Sequence, residues 1–255
     1  MSPILSAAVS DTNAIRSQED CPERMIFIPG GKLEFVGPIP GDKDKTPKKQ
    51  AFEVRPFCID EFEARNLDWD SARSGGSIEG TCGKRDPRCI LDARVNGPAT
   101  CVTPEQAECY CANILPGIPK RLPTDQEFLF AALGTDGRLF PWGNEIYPGG
   151  QWGATPDFCS FEPNEEPKTH ICAPWQNKRD RSPFGVIGMA TNGGEMTLLS
   201  STPKRLYALR GVSHASQDTD PDSIGLARWP GVVSEPARGG PFLSFRCVIS
   251  KRAEG

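Results

Sequence analysis

The sequence predicts an α+β fold: a single loop-rich domain with low regular secondary structure that is stabilised by disulfides. The 255 residues include 26 glycines and 25 prolines, and so many residues that interrupt helices and strands argue against a helical bundle. There are ten cysteines and no CxxC pair, so disulfides account for them better than a structural zinc site. We expect a flexible N-terminal lead over residues 1–20 and the domain over residues 21–255.

The first predicted elements are strands. Residues 25–31 (MIFIPGG) predict a strand and a turn, and residues 51–60 predict a second strand with alternating apolar positions. Between them, the charged residues 43–49 are typical of a solvated hairpin tip. Residues 57–63 (FCIDEFE) indicate a strand that leads into a helix.

Two later helices carry capping signals at their N-termini. Thr103 precedes Pro104, and proline is favoured at the first position of a helix. Thr124 can accept a hydrogen bond from a free N–H group of the first turn, and Glu127 completes a capping box. Gly134 is placed to end this second helix.

The second helix is followed by an aromatic turn. Residues 139–144 (LFPWGN) place two large rings around a proline and a glycine, which is typical of a rigid turn. We expect Trp142 to lie in the core.

Charge and hydropathy exclude two classes of partner. The formal net charge is −4, so no basic surface indicates a nucleic acid. No apolar run approaches the roughly 20 residues that span a bilayer.

The N-terminus does not look like an intact signal peptide. Because disulfides need an oxidising compartment, we expect an extracytoplasmic protein (periplasmic, cell-surface or secreted), from a secreted or lipid-anchored precursor whose signal was removed, or a fragment of a longer surface protein.

The order of short motifs along the chain is more specific than any one of them. The motifs are residues 25–31, 57–63, 110–111 (YC), 121–124 (RLPT), 140–143 (FPWG), 182–185 (SPFG), 192–195 (NGGE), 210–213 (RGVS) and 244–247 (SFRC). This series resembles the formylglycine-generating enzyme family, also called sulfatase-modifying factors, over about residues 21–250. The resemblance implies a single domain related to the C-type lectin fold, with many loops.

The resemblance also implies one disulfide, between Cys111 and Cys247. Two further pairings are expected because each would close a small loop: Cys82–Cys89 and Cys159–Cys172. The sequence leaves the connectivity of the other four open: Cys21, Cys58, Cys101 and Cys109.

The reactive cysteines of the family are missing from their usual place. The resemblance implies that active members hold copper(I) with two close cysteines shortly after an arginine-glycine-glycine-serine strand, since this soft ion prefers thiolates. Here residues 210–213 take that place, and no cysteine lies between Cys172 and Cys247. We therefore assign no catalytic residue and expect no copper.

Iron is not expected either. A second enzymatic branch of the superfamily binds iron through three histidines, whereas this chain has two, His170 and His214. The alternative function is a metal-dependent oxidoreductase with a divergent site around His214, in which nearby aspartates (Asp218, Asp220, Asp222) act as further ligands. Neighbouring serines also suggest a Ser/His/Asp nucleophile, but no GxSxG elbow is present. Solvated loop histidines are the favoured interpretation.

Calcium is the cofactor that the resemblance does imply. The family's calcium segment corresponds to residues 188–195, and the expected ligands are Thr191, Asn192, Gly193 and Glu195, which supply hard oxygen atoms. The first ligand position is Gly188, which has no side chain. The alternative is a glycine-rich turn in which Glu195 bonds to backbone groups.

These observations together favour a non-catalytic binding or assembly module whose partner is a protein or a glycan. Variable loops on a disulfide-held frame suit recognition, and aromatic and arginine side chains are good anchors. The candidate binding face consists of Ser213, His214, Ser216, Arg228 and Trp229, with Trp152 and Trp175 as neighbours.

Overall fold

The computed structural model describes residues 14–37, 39, 42–44, 46–70, 72–73, 76–86, 96–118, 120–145, 173–200, 205–211, 231–234, 240 and 243–250. Within them the strands are β1 (Met25–Ile28), β2 (Gly31–Gly37), β3 (Lys48–Val54), β4 (Phe57–Asp60), β5 (Ala72–Arg73), β6 (Gly76–Ser77), β7 (Gly194–Ser200), β8 (Leu206–Arg210), β9 (Gly231–Ser234), β10 (Leu243–Ser244) and β11 (Val248–Ile249). The helices are α1 (Asn66–Asp70), α2 (Ile78–Cys82), α3 (Pro104–Asn113) and α4 (Asp125–Leu133), with short 3-10 helices at Gln18–Asp20 and Pro174–Gln176.

Two sheets position the later parts of the chain. One has the order β1-β4-β11 and is antiparallel, so the first and last strands of the described chain both pair with β4. The other has the order β10-β7-β8-β9, in which β10 runs parallel to β7 and the other pairs are antiparallel. Strands β2 and β3 form a separate hairpin.

Helix α4 lies at the centre of the larger apolar core. Residues 128–133 are all buried, and they pack with Ile28 of β1 and Phe57 of β4. Because residues on every side of this helix are apolar, burying one face alone would leave apolar surface in water. A second apolar cluster contains Trp69, stacked on Tyr110 with the ring centroids 5.6 Å apart.

The capping signals are confirmed. The hydroxyls of Thr103 and Thr124 accept hydrogen bonds from the backbone N–H groups of Gln106 and Glu127, both at 3.2 Å. Gly134 follows α4 with φ of 64°, a conformation that costs glycine little. Local sequence therefore determines where these helices begin and where α4 ends.

The predicted hairpin is also present and is formed by β2 and β3, but Lys48 and Lys49 of the predicted tip belong to β3 and pair with Gly37 and Val36. The prediction for Trp142 was only partly right. Trp142 stacks on buried Phe140 at 5.1 Å but remains partly exposed. Its indole N–H donates to the carbonyl of Glu145 at 2.8 Å, so its polar edge keeps the ring near the surface.

The disulfides confirm the pairing that the family resemblance implies and correct one of the two small-loop pairings. Cys111 bonds Cys247, which ties α3 to the segment before β11. The predicted Cys82–Cys89 bridge is wrong, because Cys82 at the end of α2 bonds Cys109 of the adjacent helix α3. Among the cysteines whose partners the sequence did not assign, Cys21 bonds Cys58, and Cys101 is also disulfide-bonded. The predicted Cys159–Cys172 pair lies outside the described residues.

The boundary of the N-terminal lead needs a correction as well. Residues 14–20, assigned to a flexible lead, include a 3-10 helix. Ile15 is 3% exposed and packs with Met25, Cys58 and Ile249. The apolar side chain of Ile15 and the adjacent Cys21–Cys58 bridge anchor this segment to the β1-β4-β11 sheet.

Among the described helices, none combines the length and apolar character that a membrane span requires.

Candidate binding site and buried polar cluster

The candidate binding face belongs to a segment that starts and ends at one place on a sheet. Strand β8 ends at Arg210 and β9 begins at Gly231, and Leu209 pairs with Gly231. Gly211 has φ of 81°, and a side chain there would come within 3.3 Å of the carbonyl oxygen of Ala190. A glycine is therefore needed where the chain leaves the sheet.

The face residues themselves lie outside the described residues: Ser213, His214, Ser216, Arg228 and Trp229, and with them His170, Trp152 and the aspartates near His214. The structure thus describes the strands on both sides of the predicted face and not the face.

A buried ion pair holds the strand that leads to this segment. Arg210 donates from Nε to Oδ1 of Asp125 and from Nη2 to Oδ2, both at 2.6 Å. The two side chains are 1% and 9% exposed. Asp125 is in the first turn of α4, so the pair joins the central helix to β8.

A second buried ion pair occupies the expected calcium segment. Arg246 donates from Nε to Oε2 of Glu195 at 2.7 Å and from Nη2 to Oε1 at 2.6 Å. The side chains are 0% and 1% exposed. Both carboxylate oxygens of Glu195 are thus engaged by one planar guanidinium, the geometry of a strong bidentate pair.

Glu63 is the acidic neighbour of this pair. Its Oε2 accepts a hydrogen bond from Nδ2 of Asn192 at 2.5 Å, and its Oε1 is buried and has no hydrogen-bond partner. Burial raises the pKa of Glu63 well above its ordinary value, and the nearby charge of Glu195 adds to the effect. Burial therefore disfavours the ionised form of Glu63.

Asp180 is the third acid of this cluster. Its Oδ2 accepts from the backbone N–H groups of Ala190 and Thr191 at 2.7 Å each and from the Thr191 hydroxyl at 2.9 Å. Its Oδ1 is buried without a hydrogen-bond partner. Burial raises the pKa of Asp180 to about 6, against the opposing effect of these donors.

The expected calcium ligands do not fit a calcium ion well. Calcium takes six to eight oxygen ligands, and among the four expected residues the carboxylate of Glu195 already serves Arg246. A divalent ion about 4 Å from a guanidinium would be repelled by roughly 8 kcal/mol at an effective dielectric constant near 20. Among the described residues, no group of three or more His, Cys, Asp or Glu side chains could hold a metal ion.

The cysteines of the described segments offer no free thiolate. Each of them is disulfide-bonded, and a disulfide sulfur is not a thiolate ligand. Glu63, Asp180, Glu195 and Arg246 are each at most 1% exposed, so their ion pairs and hydrogen bonds belong to the interior of the fold.

A surface pocket beside the cluster was missed from the sequence. It has a volume of about 330 Å³, and Phe62, Glu63 and Tyr110 are among its lining residues. At its edge the guanidinium of Arg24 lies 4.8 Å from the ring of Phe62. The residues that line this pocket come from separate parts of the sequence. No local pattern in the sequence indicates that their side chains lie together.

Trp175, one of the predicted neighbours of the face, lies close to this pocket. Its ring is 6.1 Å from that of Phe62, edge to face, and the guanidinium of Arg65 is 5.8 Å from it. Arginine and tryptophan side chains that are only partly buried often act as anchors in interfaces.

Comparison with known proteins gives a consistent result. A family model described as the sulfatase-modifying factor enzyme 1-like domain matches residues 11–251. The chain is 27% identical over 216 residues to the uncharacterized protein YfmG of Bacillus subtilis, which covers 72% of this chain and 43% of YfmG. It is 24% identical over 165 residues to the inactive C-alpha-formylglycine-generating enzyme 2 of Bos taurus, covering 49% of this chain and 54% of the bovine protein. The chain spans about half the length of these curated relatives.

Two solved structures resemble the fold at 16% sequence identity each. The structure of CarF superposes with a TM-score of 0.51 and covers 90% of this chain and 98% of CarF. Treponema denticola variable protein 1 superposes with a TM-score of 0.54 and covers 89% of this chain and 94% of the other. At this identity the likeness shows the fold alone.

Proposed function

We propose, from the premise that the chain belongs to the family of sulfatase-modifying factor enzyme 1-like domains, that it is a non-catalytic binding or assembly module. Its partner is a protein or a glycan, and its place of action is outside the cytoplasm. The described cysteines fit this location, because each is oxidised to a disulfide and disulfides persist in oxidising compartments.

One observation carries the proposal: the strand that leads into the segment expected to hold the reactive cysteines is firmly fixed, while the sequence of that segment has no cysteine. Strand β8, the Arg210–Asp125 pair and Gly211 hold the chain where it leaves the sheet. No cysteine lies between Cys172 and Cys247, so the segment from 212 to 230 cannot supply the thiolates that copper(I) needs.

The name of the bovine relative, an inactive formylglycine-generating enzyme, supports the same proposal. A fold that has lost its reactive groups still offers a segment fixed at both ends to one sheet. Such segments suit binding, because a rigid scaffold sets the position of a variable loop. In this proposal Arg228 and Trp229 are the anchors of the interface.

The first test is enzymatic and concerns the competing function. Purified oxidised protein is given copper(I) and a cysteine-containing peptide, and oxygen uptake and metal content are measured. We expect no uptake above that of copper alone. Turnover would overturn the proposal, and its loss in His214→Ala would place the reaction in the divergent site around His214.

The second test is binding. Partners captured with the wild-type protein are purified and measured again with Trp229→Ala, Arg228→Ala and the control Arg55→Ala, which changes an exposed arginine outside the predicted face. We expect at least tenfold weaker binding for the face variants, which corresponds to about 1.4 kcal/mol, and no change for Arg55→Ala. Equal binding by all variants would contradict the assignment of the face.

A further inference from the structure

The guanidinium of Arg246 is enclosed by oxygen atoms. Besides the two carboxylate oxygens of Glu195, its Nη2 approaches the carbonyl oxygens of Ile187 at 2.9 Å and Gly188 at 3.2 Å. Its Nη1 approaches the carbonyl oxygens of Asp60 at 3.3 Å and Glu61 at 3.5 Å. Carboxylate and carbonyl oxygens are the ligands that a hard cation such as calcium takes, and here one arginine takes them.

We propose that Arg246 is the resident cation of the segment to which the family resemblance assigns calcium, so that the Glu195 site of this chain is closed to divalent cations. The guanidinium donates hydrogen bonds both to the carboxylate of Glu195 and to the carbonyl oxygens around it. Bound calcium would have to displace it or share these oxygens with it, and both are unfavourable for two cations in a sealed site.

The residue at position 188 points to the same conclusion. Gly188 has φ of 73°, and a side chain there would meet Asn177 Nδ2 at 3.5 Å and Arg246 Nη2 at 4.0 Å, which are ordinary contact distances. The distances leave space for a side chain at the first ligand position, but the positive φ would strain one, and the sequence supplies none. The one oxygen within 4 Å of such a side chain, Glu63 Oε2 at 3.9 Å, already accepts a hydrogen bond from Asn192.

The surrounding acids do not build a second cation site. Arg246 faces Glu195, Glu63 and Asp180, and Asp60 beside Glu195 is paired with Lys120 at 2.5 Å. The unpartnered oxygens of Glu63 and Asp180 are the remaining candidates. Among the residues that the structure describes, however, no three His, Cys, Asp or Glu side chains are grouped so that they could hold a metal ion.

The inference is tested by thermal unfolding and titration calorimetry of the oxidised wild-type protein in calcium and in chelator. We expect the same unfolding midpoint in both conditions and no binding heat. An ion bound at the site, at about 100 times its Kd, would raise the midpoint by roughly 5–10 °C.

The variant Glu195→Gln distinguishes calcium binding at this site from calcium binding elsewhere on the protein. We expect it to lower the midpoint equally in calcium and in chelator, since the lost partner is Arg246 and not a metal. A midpoint that rises with calcium in the wild type and no longer rises in Glu195→Gln would overturn the inference, whereas a rise that persists in the variant places calcium elsewhere and leaves this site closed. If Glu195→Gln does not fold, Asn192→Gly removes another expected side-chain ligand at a position whose φ of 79° glycine adopts readily, and it is read in the same way.

Discussion

Arg210 and Asp125 form a bidentate ion pair in the interior, with both N–O distances at 2.6 Å. They are 85 residues apart in the sequence, and the pair joins β8 to the first turn of α4. It is one of two such pairs on neighbouring strands: Glu195 of β7 stands opposite Arg210 of β8 in the sheet and is itself paired with Arg246. Two buried arginines thus neutralise the acids on α4 and β7, and one of them, Arg210, is the last residue of the strand that leads into the candidate binding segment.

Removing one partner of the Arg210–Asp125 pair is expected to destabilise the fold strongly. Arg210→Met keeps most of the side-chain volume but leaves the buried carboxylate of Asp125 without its cation, with only the Thr197 hydroxyl among the described side chains still donating to it, and breaking a buried ion pair in this way typically costs about 3–5 kcal/mol. Urea unfolding followed by circular dichroism measures the loss.

Arg121→Met is the matched control for this variant. Arg121 makes the same bidentate contact with Glu127, at 2.7 Å for both bonds, but its side chain is 38% exposed. We expect its loss to cost less than that of Arg210, because the Arg121 side chain is solvated and Glu127, although 11% exposed, keeps the hydrogen bonds from the Thr124 N–H and hydroxyl groups. Equal losses for the two variants would show that burial does not distinguish these pairs.

The two disulfides of α3 are expected to contribute unequally to stability. The bridge from Cys111 to Cys247 spans 136 residues and that from Cys109 to Cys82 spans 27. In the chain-entropy model the longer loop stabilises by about 5 kcal/mol and the shorter one by about 3.5 kcal/mol. Paired Cys→Ala variants of each bridge, compared by urea unfolding, should differ in this direction.

A non-reducing peptide map checks the pairing itself. It should yield the linked peptides of Cys111 with Cys247 and of Cys82 with Cys109. Free thiols at Cys111 and Cys247 would contradict both the bridge and the alignment with the family, and a Cys82–Cys89 peptide would restore the pairing expected from the sequence.

The cap of α4 should be worth a modest and measurable amount. Thr124→Ala removes the acceptor for the Glu127 N–H group, and the loss of such a cap typically costs about 1 kcal/mol. Thr124→Ser keeps the hydroxyl and should change stability by a few tenths of that. A loss in Thr124→Ser as large as in Thr124→Ala would assign the effect to the threonine methyl group instead of the cap.

Local features of the chain could be predicted because their causes are local. Thr124, Glu127 and Gly134 act within one helix, and each signal lies within a few residues of the element it defines. The bridge from Cys111 to Cys247 required the family resemblance, because nothing in the spacing of ten cysteines selects it.

The partners of the buried charges could not be predicted from local patterns. Glu195 and Arg246 are 51 residues apart, and Glu63 and Asn192 are 129 apart; no periodicity connects them. The sequence placed Glu195 in a calcium segment because that motif is contiguous. The cation that occupies this segment is the guanidinium of Arg246, which lies between β10 and β11 and reaches Glu195 only in the folded chain.

Asp180 should make the fold less stable as the pH rises from about 4 to 7. Its pKa is raised from 3.8 to about 6 in the folded protein, so the folded state holds its proton more tightly than the unfolded state does. The resulting stabilisation is complete below pH 3.8 and is lost as the pH rises through 6; above that the ionised form costs about 3 kcal/mol. Glu63 acts in the same direction, because its pKa is also raised.

Asp180→Asn is the variant that isolates this effect. Its amide oxygen can still accept from Ala190, Thr191 and the Thr191 hydroxyl, but it cannot ionise. The difference in unfolding free energy between variant and wild type should therefore move in favour of the variant between pH 4 and 7. Asp44→Asn is the control, because the pKa of exposed Asp44 is lowered to about 2 and this group stays ionised across that range. A wild-type slope that Asp180→Asn leaves unchanged would show that Asp180 is ionised in the folded protein at all these pH values, and the charge balance around Arg246 would then need another cation.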